Sequence, residues 1–208
     1  MPLKAKVKHL RAVRRKLDLR APIFHTRRFP GVSRGRFFMK AHELIQRLPE
    51  QFSADLFQFL HTSDKPAYKA CMQILGSRRK LRPVILERKS RDERHAWMRN
   101  ELTRKSNDDA STEILQTWLF GAHQSMICDF LDALKIPHNG NGLVDSLPPQ
   151  PPESDLKAAV EQLLAKYPAT AVTAYLYLFV EMDIADWPAL KEILANDARL
   201  SLEQPTVA

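Results

Sequence analysis

Glycine is scarce in this chain, six residues in 208, and proline outnumbers it at fourteen. That balance argues against a fold built on tight hairpins and for many abrupt helix boundaries. Long apolar runs are missing as well. The longest, ATAVTAYLYLFV from Ala169 to Val180, reaches about half of the ~20 residues that a membrane helix needs, so no transmembrane segment is expected. The basic amino terminus has no apolar segment behind it, so no secretory signal is expected either. Only two cysteines occur, Cys71 and Cys128, each inside an apolar-periodic segment and without a CxxC partner. They read as buried thiols of a reducing compartment, not as a disulfide or a zinc site. GxSxG, HExxH, a glycine-rich phosphate loop and a cysteine in a basic setting are all lacking, which leaves nucleophilic, zinc-hydrolytic and nucleotide chemistry without a signature.

Charge is plentiful and uneven. Residues 1–40 hold thirteen Lys/Arg and one acid, residues 41–105 fourteen and eight, and residues 106–208 five and fifteen. The blocks therefore carry +12, +6 and −10, which sum to the net +8. Such polarity points either to a polyanionic partner for the basic region or to attraction between the halves. The second alternative is favoured here, because the −10 half is an internal partner for the +6 block.

Residues 1–38 differ from the rest. LKAKVKHLRAVRRKL spaces Leu3, Val7, Leu10, Val13 and Leu17 as an amphipathic helix would, and APIFHTRRFPGVSRGRFF then has no period. A nucleic-acid or anionic-membrane arm and an Arg-rich presequence compete with a plain basic extension, expected to be disordered because like-charge blocks repel. From Met39 onward helix signals recur. Ser53 is placed to cap ADLFQFLH, Asp64 with Pro66 opens AYKACMQIL, and Gly76 is placed to stop it. Pro83 opens a charged stretch in which Ser90 and Glu93 have capping-box spacing. Glu87/Arg91, Lys89/Glu93 and Glu101/Lys105 are i,i+4 opposite-charge pairs, and Trp97, Met98 and Leu102 form a narrow apolar stripe. Residues 110–135 carry the stripe of one long core helix through Ile114, Leu115, Trp118, Leu119, Met126, Phe130 and Leu131. Leu156, Val160, Leu163, Leu164 and Tyr167 mark a further helix, TAVTAYLYLFVEM is apolar nearly all round as a central helix would be, and Asp186 caps WPALKEILA.

No segment alternates with period two for more than a few residues. The chain is therefore expected to be all-α, a multi-helix globular bundle or a short helical array. Its parts are a basic extension over 1–38, a helical block with a basic surface over 39–135, a crossover loop over 136–153, and an acidic block over 154–208 packed on the long helix. DKPAYK at 64–69 and DWPALK at 186–191 echo each other, a likeness that shared cap chemistry accounts for as well as repetition does.

The segment LKIPHNGNGLVDSLPPQPPESDLK, 134–157, gathers the residues with the most varied chemistry. His138, Asn139, Asn141 and Asp145 offer metal-ligand atoms, but an EF-hand register begun at Asn139 puts Leu143 at position 5, Val144 at 6 and Gln150 at 12, and zinc lacks a third ligand. Turn chemistry explains the same residues: Pro137 ends a helix, two Asn-Gly steps tolerate positive φ, and four prolines hold an extended spacer. Two overlapping PxxP spacings lack flanking arginines. His123 with Asp129 and Asp132, and the carboxylates Glu181, Asp183 and Asp186, are likewise read as helix edges and caps. No catalytic, cofactor or metal residue is assigned, and no cofactor is expected.

The segments FLDALKIPHNGNGLVDSLPPQPP, LKAAVEQLLAKYP, YLYLF and WPALKEIL resemble a group of small all-helical bacterial proteins without an assigned activity. The likeness covers residues 110–200, under half of the chain. It implies a bacterial cytosolic setting and an all-α fold, and it brings no site residues.

The strongest functional feature is the ordered basic stretch 78–105, eleven cations against four acids. Arg78, Arg79, Lys80, Arg82, Arg88, Lys89, Arg91 and Arg94 are its candidate polyanion-binding residues. Only Trp97 is there to stack on a base. The favoured function is a non-enzymatic cytosolic interaction or regulatory protein with an unidentified protein partner. The alternative is a nucleic-acid-binding accessory protein that uses 78–105 and the amino-terminal arm.

Overall fold

The computed structural model describes residues 39–144, 146–181 and 187–202. The amino-terminal extension 1–38, Asp145, and residues 182–186, with Asp183 and the expected cap Asp186, lie outside the described residues, as does the side chain of Glu181. Among the described residues the regular structure is ten α-helices and two short 3-10 turns, with no strand. The chain is all-α.

The helices are α1 (Ala41–Arg47), α2 (Glu50–Ser63), α3 (Lys65–Arg79), α4 (Pro83–Glu87), α5 (Arg91–Leu102), α6 (Asp108–Ala122), α7 (Gln124–Ala133), α8 (Glu153–Lys166), α9 (Ala169–Glu181) and α10 (Pro188–Asn196). The 3-10 turns are Lys105–Asn107 and Ala198–Leu200. Local side chains set several boundaries as expected. Asp64 Oδ1 accepts from the Ala67 N–H at 2.9 Å, and Ser90 Oγ accepts from the Glu93 N–H at 3.2 Å, each satisfying an amide that the first helical turn leaves open.

Three expectations fail for tertiary reasons. Ser53 caps nothing: it lies buried inside α2 and accepts from Arg99 Nη1 at 3.1 Å. Gly76 does not stop α3, which runs to Arg79 and ends where Lys80 turns left-handed at φ 54°. The Gly76 carbonyl instead accepts from Leu81 N–H, and an added Cβ would press on Leu86 Cδ1 at 3.3 Å. The long helix 110–135 is two helices, because His123 leaves the helical region at φ −128°, ψ 26°. Its ring packs edge-on against Trp118 at 4.3 Å between centroids.

One apolar core draws on helices from α1 to α10. In the amino-terminal part, α2 packs on α3, α5 and α6, while α1 lies against α6. Phe52 and Trp118 meet edge-on at 4.8 Å there. In the carboxyl-terminal part α7 packs on α8, and α9 is enclosed by α8, α10, the final 3-10 turn and α1. Nearly every residue of α9 from Ala171 to Val180 is buried, as its uninterrupted apolar sequence requires. Phe130, Tyr175, Phe179 and Trp187 form its aromatic centre, with neighbouring centroids 5.1 to 5.9 Å apart.

The crossover loop is a built structure. Helix α7 ends in a Schellman motif: Ile136 N–H donates to the Leu131 carbonyl at 2.8 Å, Lys135 N–H to the Asp132 carbonyl at 2.9 Å, and Lys135 is left-handed at φ 57°. Asn139 Oδ1 then accepts from the N–H groups of Asn141 and Leu143. Gln124 and Cys128 of α7 reach the Gly140 carbonyl, and Gln150 Oε1 accepts from Ala189 N–H at 2.8 Å in the first turn of α10. Val144 and Leu147 rest on the core.

Candidate functional site

The basic stretch is carried by the end of α3, the short helix α4 and the start of α5, and the fold sorts its cations into two kinds. Several are engaged by the fold. Arg91 Nη1 donates to Gln58 Oε1 at 3.0 Å, tying α5 to α2, and Arg94 Nη1 donates to the Glu87 carbonyl at 3.0 Å. Arg99 binds the Leu48 and Gln46 carbonyls besides Ser53 and so closes the α1–α2 corner. Lys89 pairs with Glu93 at 2.9 Å, as the i,i+4 spacing predicts. Glu101 pairs with Arg104 at 3.1 Å in place of the expected Lys105.

Arg79 and Lys89 converge on Trp97. The Arg79 guanidinium carbon stands 4.0 Å from the ring centroid and Lys89 Nζ 5.4 Å. The one aromatic that might have stacked on a base is thus half-buried and carries a cation on its face.

The remaining cations point outward. Arg78, Lys80, Arg82 and Arg88 are exposed, and among the described residues no hydrogen bond or ion pair engages their side chains. Between them lies α4, whose five residues begin at Pro83. Only Leu86 is buried there, packed into the core with no exposed surface. Val84 and Ile85 keep 52% and 41% of their surface in solvent and are the exposed large hydrophobics among the described residues. Sequence reading missed this pair. The signal was PVIL itself, since so short a helix can turn only one of three aliphatic residues to the core.

A polar cluster lies between α2, α3 and α5. The His95 ring packs near Phe57 at 5.5 Å and Tyr68 at 6.0 Å, and His61 meets Tyr68 at 4.9 Å. Burial, with the charges of Arg91 and Arg94, pushes His95 down to about 4. Tyr68 Oη, His95 Nε2 and Arg94 Nε are buried without a hydrogen-bond partner among the described residues.

The other candidates are engaged structurally. Asp129 accepts from Lys166 Nζ and Tyr167 Oη, and these two bonds hold its carboxyl below the usual range. Asp132 pairs with His138 Nε2 at 3.0 Å. Both carboxylates line an open recess of about 320 Å³ with Gln162, Leu163 and Lys166. Among the described residues no group of three or more His, Cys, Asp or Glu could hold a metal ion. Cys71 is buried, which pushes its thiol up to about 12, whereas Cys128, expected buried, is half-exposed.

Four acids of the carboxyl half are met by its own cations, Asp129 by Lys166, Glu153 by Lys157, and Glu161 and Asp197 by Arg199, whereas Asp108 meets His42 of α1 at 2.8 Å. The attraction expected between that half and the 78–105 cations finds no contact in these pairs. Among the described residues no helix is long and apolar enough to cross a membrane. No family model, curated protein or solved structure matches the chain.

Proposed function

We propose that the protein works by docking, as a non-enzymatic cytosolic interaction or regulatory protein, and that the α3–α4 ridge is its docking surface. The bacterial setting implied by the resemblance over 110–200 belongs to the same proposal. One observation carries it. Arg78, Lys80, Arg82 and Arg88 flank an exposed Val84–Ile85 pair in the chain, and among the described residues none of the four is engaged by a hydrogen bond or ion pair. Exposed cations of the same stretch that serve the fold, such as Arg91, have such a partner. Affinity capture with the wild-type chain and with R78Q/K80Q/R82Q/R88Q as baits tests the reading. Species retained by the wild type and lost with the variant support it; an identical set from both baits overturns it.

The nucleic-acid reading rests on the same four cations. Neutralising Z phosphates makes log K fall with log salt at a slope of about −0.9Z on duplex DNA. The fourfold variant should then flatten that slope by roughly three to four if the ridge tracks phosphates. The cation over Trp97 speaks against base stacking, which leaves this reading second.

A further inference from the structure

We infer that the ridge docks on an anionic membrane surface, with Val84 and Ile85 entering the headgroup–acyl boundary and Arg78, Lys80, Arg82 and Arg88 lying among the lipid headgroups. This rests on the reading of the ridge as a docking surface and names what it meets.

Three features select this partner. The apolar element is small and exposed. Helix α4 packs on α3, is tied to α5 by Arg94 on the Glu87 carbonyl, and buries Leu86 while Val84 and Ile85 stay exposed. A bilayer accepts so small a pair, whereas a stable protein interface needs about 800 Å² per partner around buried anchors, commonly Trp, Tyr or Arg. Here the nearby Trp97 is half-buried under Arg79.

The residue types are also mixed in the sense that a membrane requires. Stable attachment usually takes two signals, such as an apolar one and a basic one. Arg78, Lys80, Arg82 and Arg88 occur within eleven residues and flank the aliphatic pair on both sides. Against nucleic acid the cations would suffice, and an exposed Val-Ile pair would find only solvated phosphate and sugar.

Finally, the surface charge is local. Glu153, Asp129, Glu161 and Asp197 of the carboxyl half are occupied with Lys157, Lys166 and Arg199, and among the described residues no ion pair engages the four ridge cations. The field of the ridge is therefore not cancelled by an ion pair on its own side chains, and headgroup charge within a Debye length, about 8 Å at physiological salt, can act on it.

The test is co-sedimentation of the full chain with vesicles of phosphatidylcholine alone and of phosphatidylcholine with about 30% phosphatidylserine, a charge density sufficient to draw basic segments. The variants are V84S/I85S and R78Q/K80Q/R82Q/R88Q, which change exposed side chains only. The wild type should bind the anionic vesicles and leave the neutral ones. Each variant should partition roughly tenfold more weakly, the first by losing the apolar signal and the second by losing the basic one. Wild-type affinity in V84S/I85S with loss in the fourfold variant overturns membrane insertion while the docking reading survives. Wild-type affinity in the fourfold variant likewise overturns the membrane inference, because the ridge then plays no part in vesicle binding. No binding to either vesicle overturns the membrane inference and leaves the docking reading to its own capture experiment.

Discussion

Gly142 lies against Ile127 so closely that a Cβ on the glycine would stand 2.6 Å from Ile127 Cγ2 and 3.1 Å from its Cβ. Both Asn-Gly glycines of the crossover loop are left-handed, each at φ 75°, but nothing lies within 4 Å of the corresponding position at Gly140. Gly140→Ala should therefore meet only the backbone penalty of about 1–2 kcal/mol. Gly142→Ala adds a collision with a buried β-branched side chain and should cost at least about 1 kcal/mol more. Urea denaturation of the two variants checks this, and equal losses would mean that the loop does not rest on α7.

His95 makes stability depend on pH. In the unfolded chain it takes a proton near 6.5, whereas burial and the flanking Arg91 and Arg94 hold it neutral in the folded protein down to about 4. His61 also disfavours the proton and Asp92 favours it. Between those values the unfolded state binds more protons, so stability falls as pH falls through that window and is unaffected by this group above it. The full difference is about 3 kcal/mol at the acid end. His95→Phe should flatten the dependence of the urea midpoint between pH 6.5 and 4. The slope left over belongs to other groups, among them His123, which burial also pushes down. An unchanged slope would show that His95 gains a proton without unfolding.

Salt should distinguish the outward cations from the rest. Among the described residues no ion pair engages Arg78, Lys80, Arg82 or Arg88, so their mutual repulsion is relieved by removing them or by screening. R78Q/K80Q/R82Q/R88Q should melt about 1–3 °C above the wild type at low salt, with the gap closing as sodium chloride is raised. A variant that melts lower at low salt would restore the attraction between the halves that the charge distribution alone suggested.

Legibility in the sequence followed the reach of each interaction. Asp64 and Ser90 act on amides three residues away, and both were readable. Ser53 answers an arginine 46 residues distant, and no local pattern marks that. The break at His123 was hidden because Trp118, Leu119, Met126 and Phe130 continue the apolar stripe across it. The candidate site shows the same limit. Sequence counts cations, but Arg91, Arg94 and Arg99 are tied to the fold by partners on other elements or an earlier turn. Asn139, Gly140 and Gly142 were readable as turn residues because their chemistry is local.

Lys80 joins fold and function in one residue. It holds the left-handed position after α3 at φ 54°, where a side chain is strained and glycine is not. Lys135 holds the equivalent position after α7 at φ 57°, away from the ridge. Lys80→Gly and Lys135→Gly should each raise stability by about 1 kcal/mol, or about 2–4 °C in melting temperature. Their effects on docking should part. Lys80→Gly removes one ridge cation and should weaken partition to anionic vesicles roughly fivefold, since a basic residue near such a surface contributes about 1 kcal/mol. Lys135→Gly should leave partition unchanged. Thermal melts and vesicle titrations of both proteins decide the matter. A stabilised Lys80→Gly with wild-type partition would remove Lys80 from the docking surface, and equal weakening in both variants would mean that net charge, not the ridge, governs attachment.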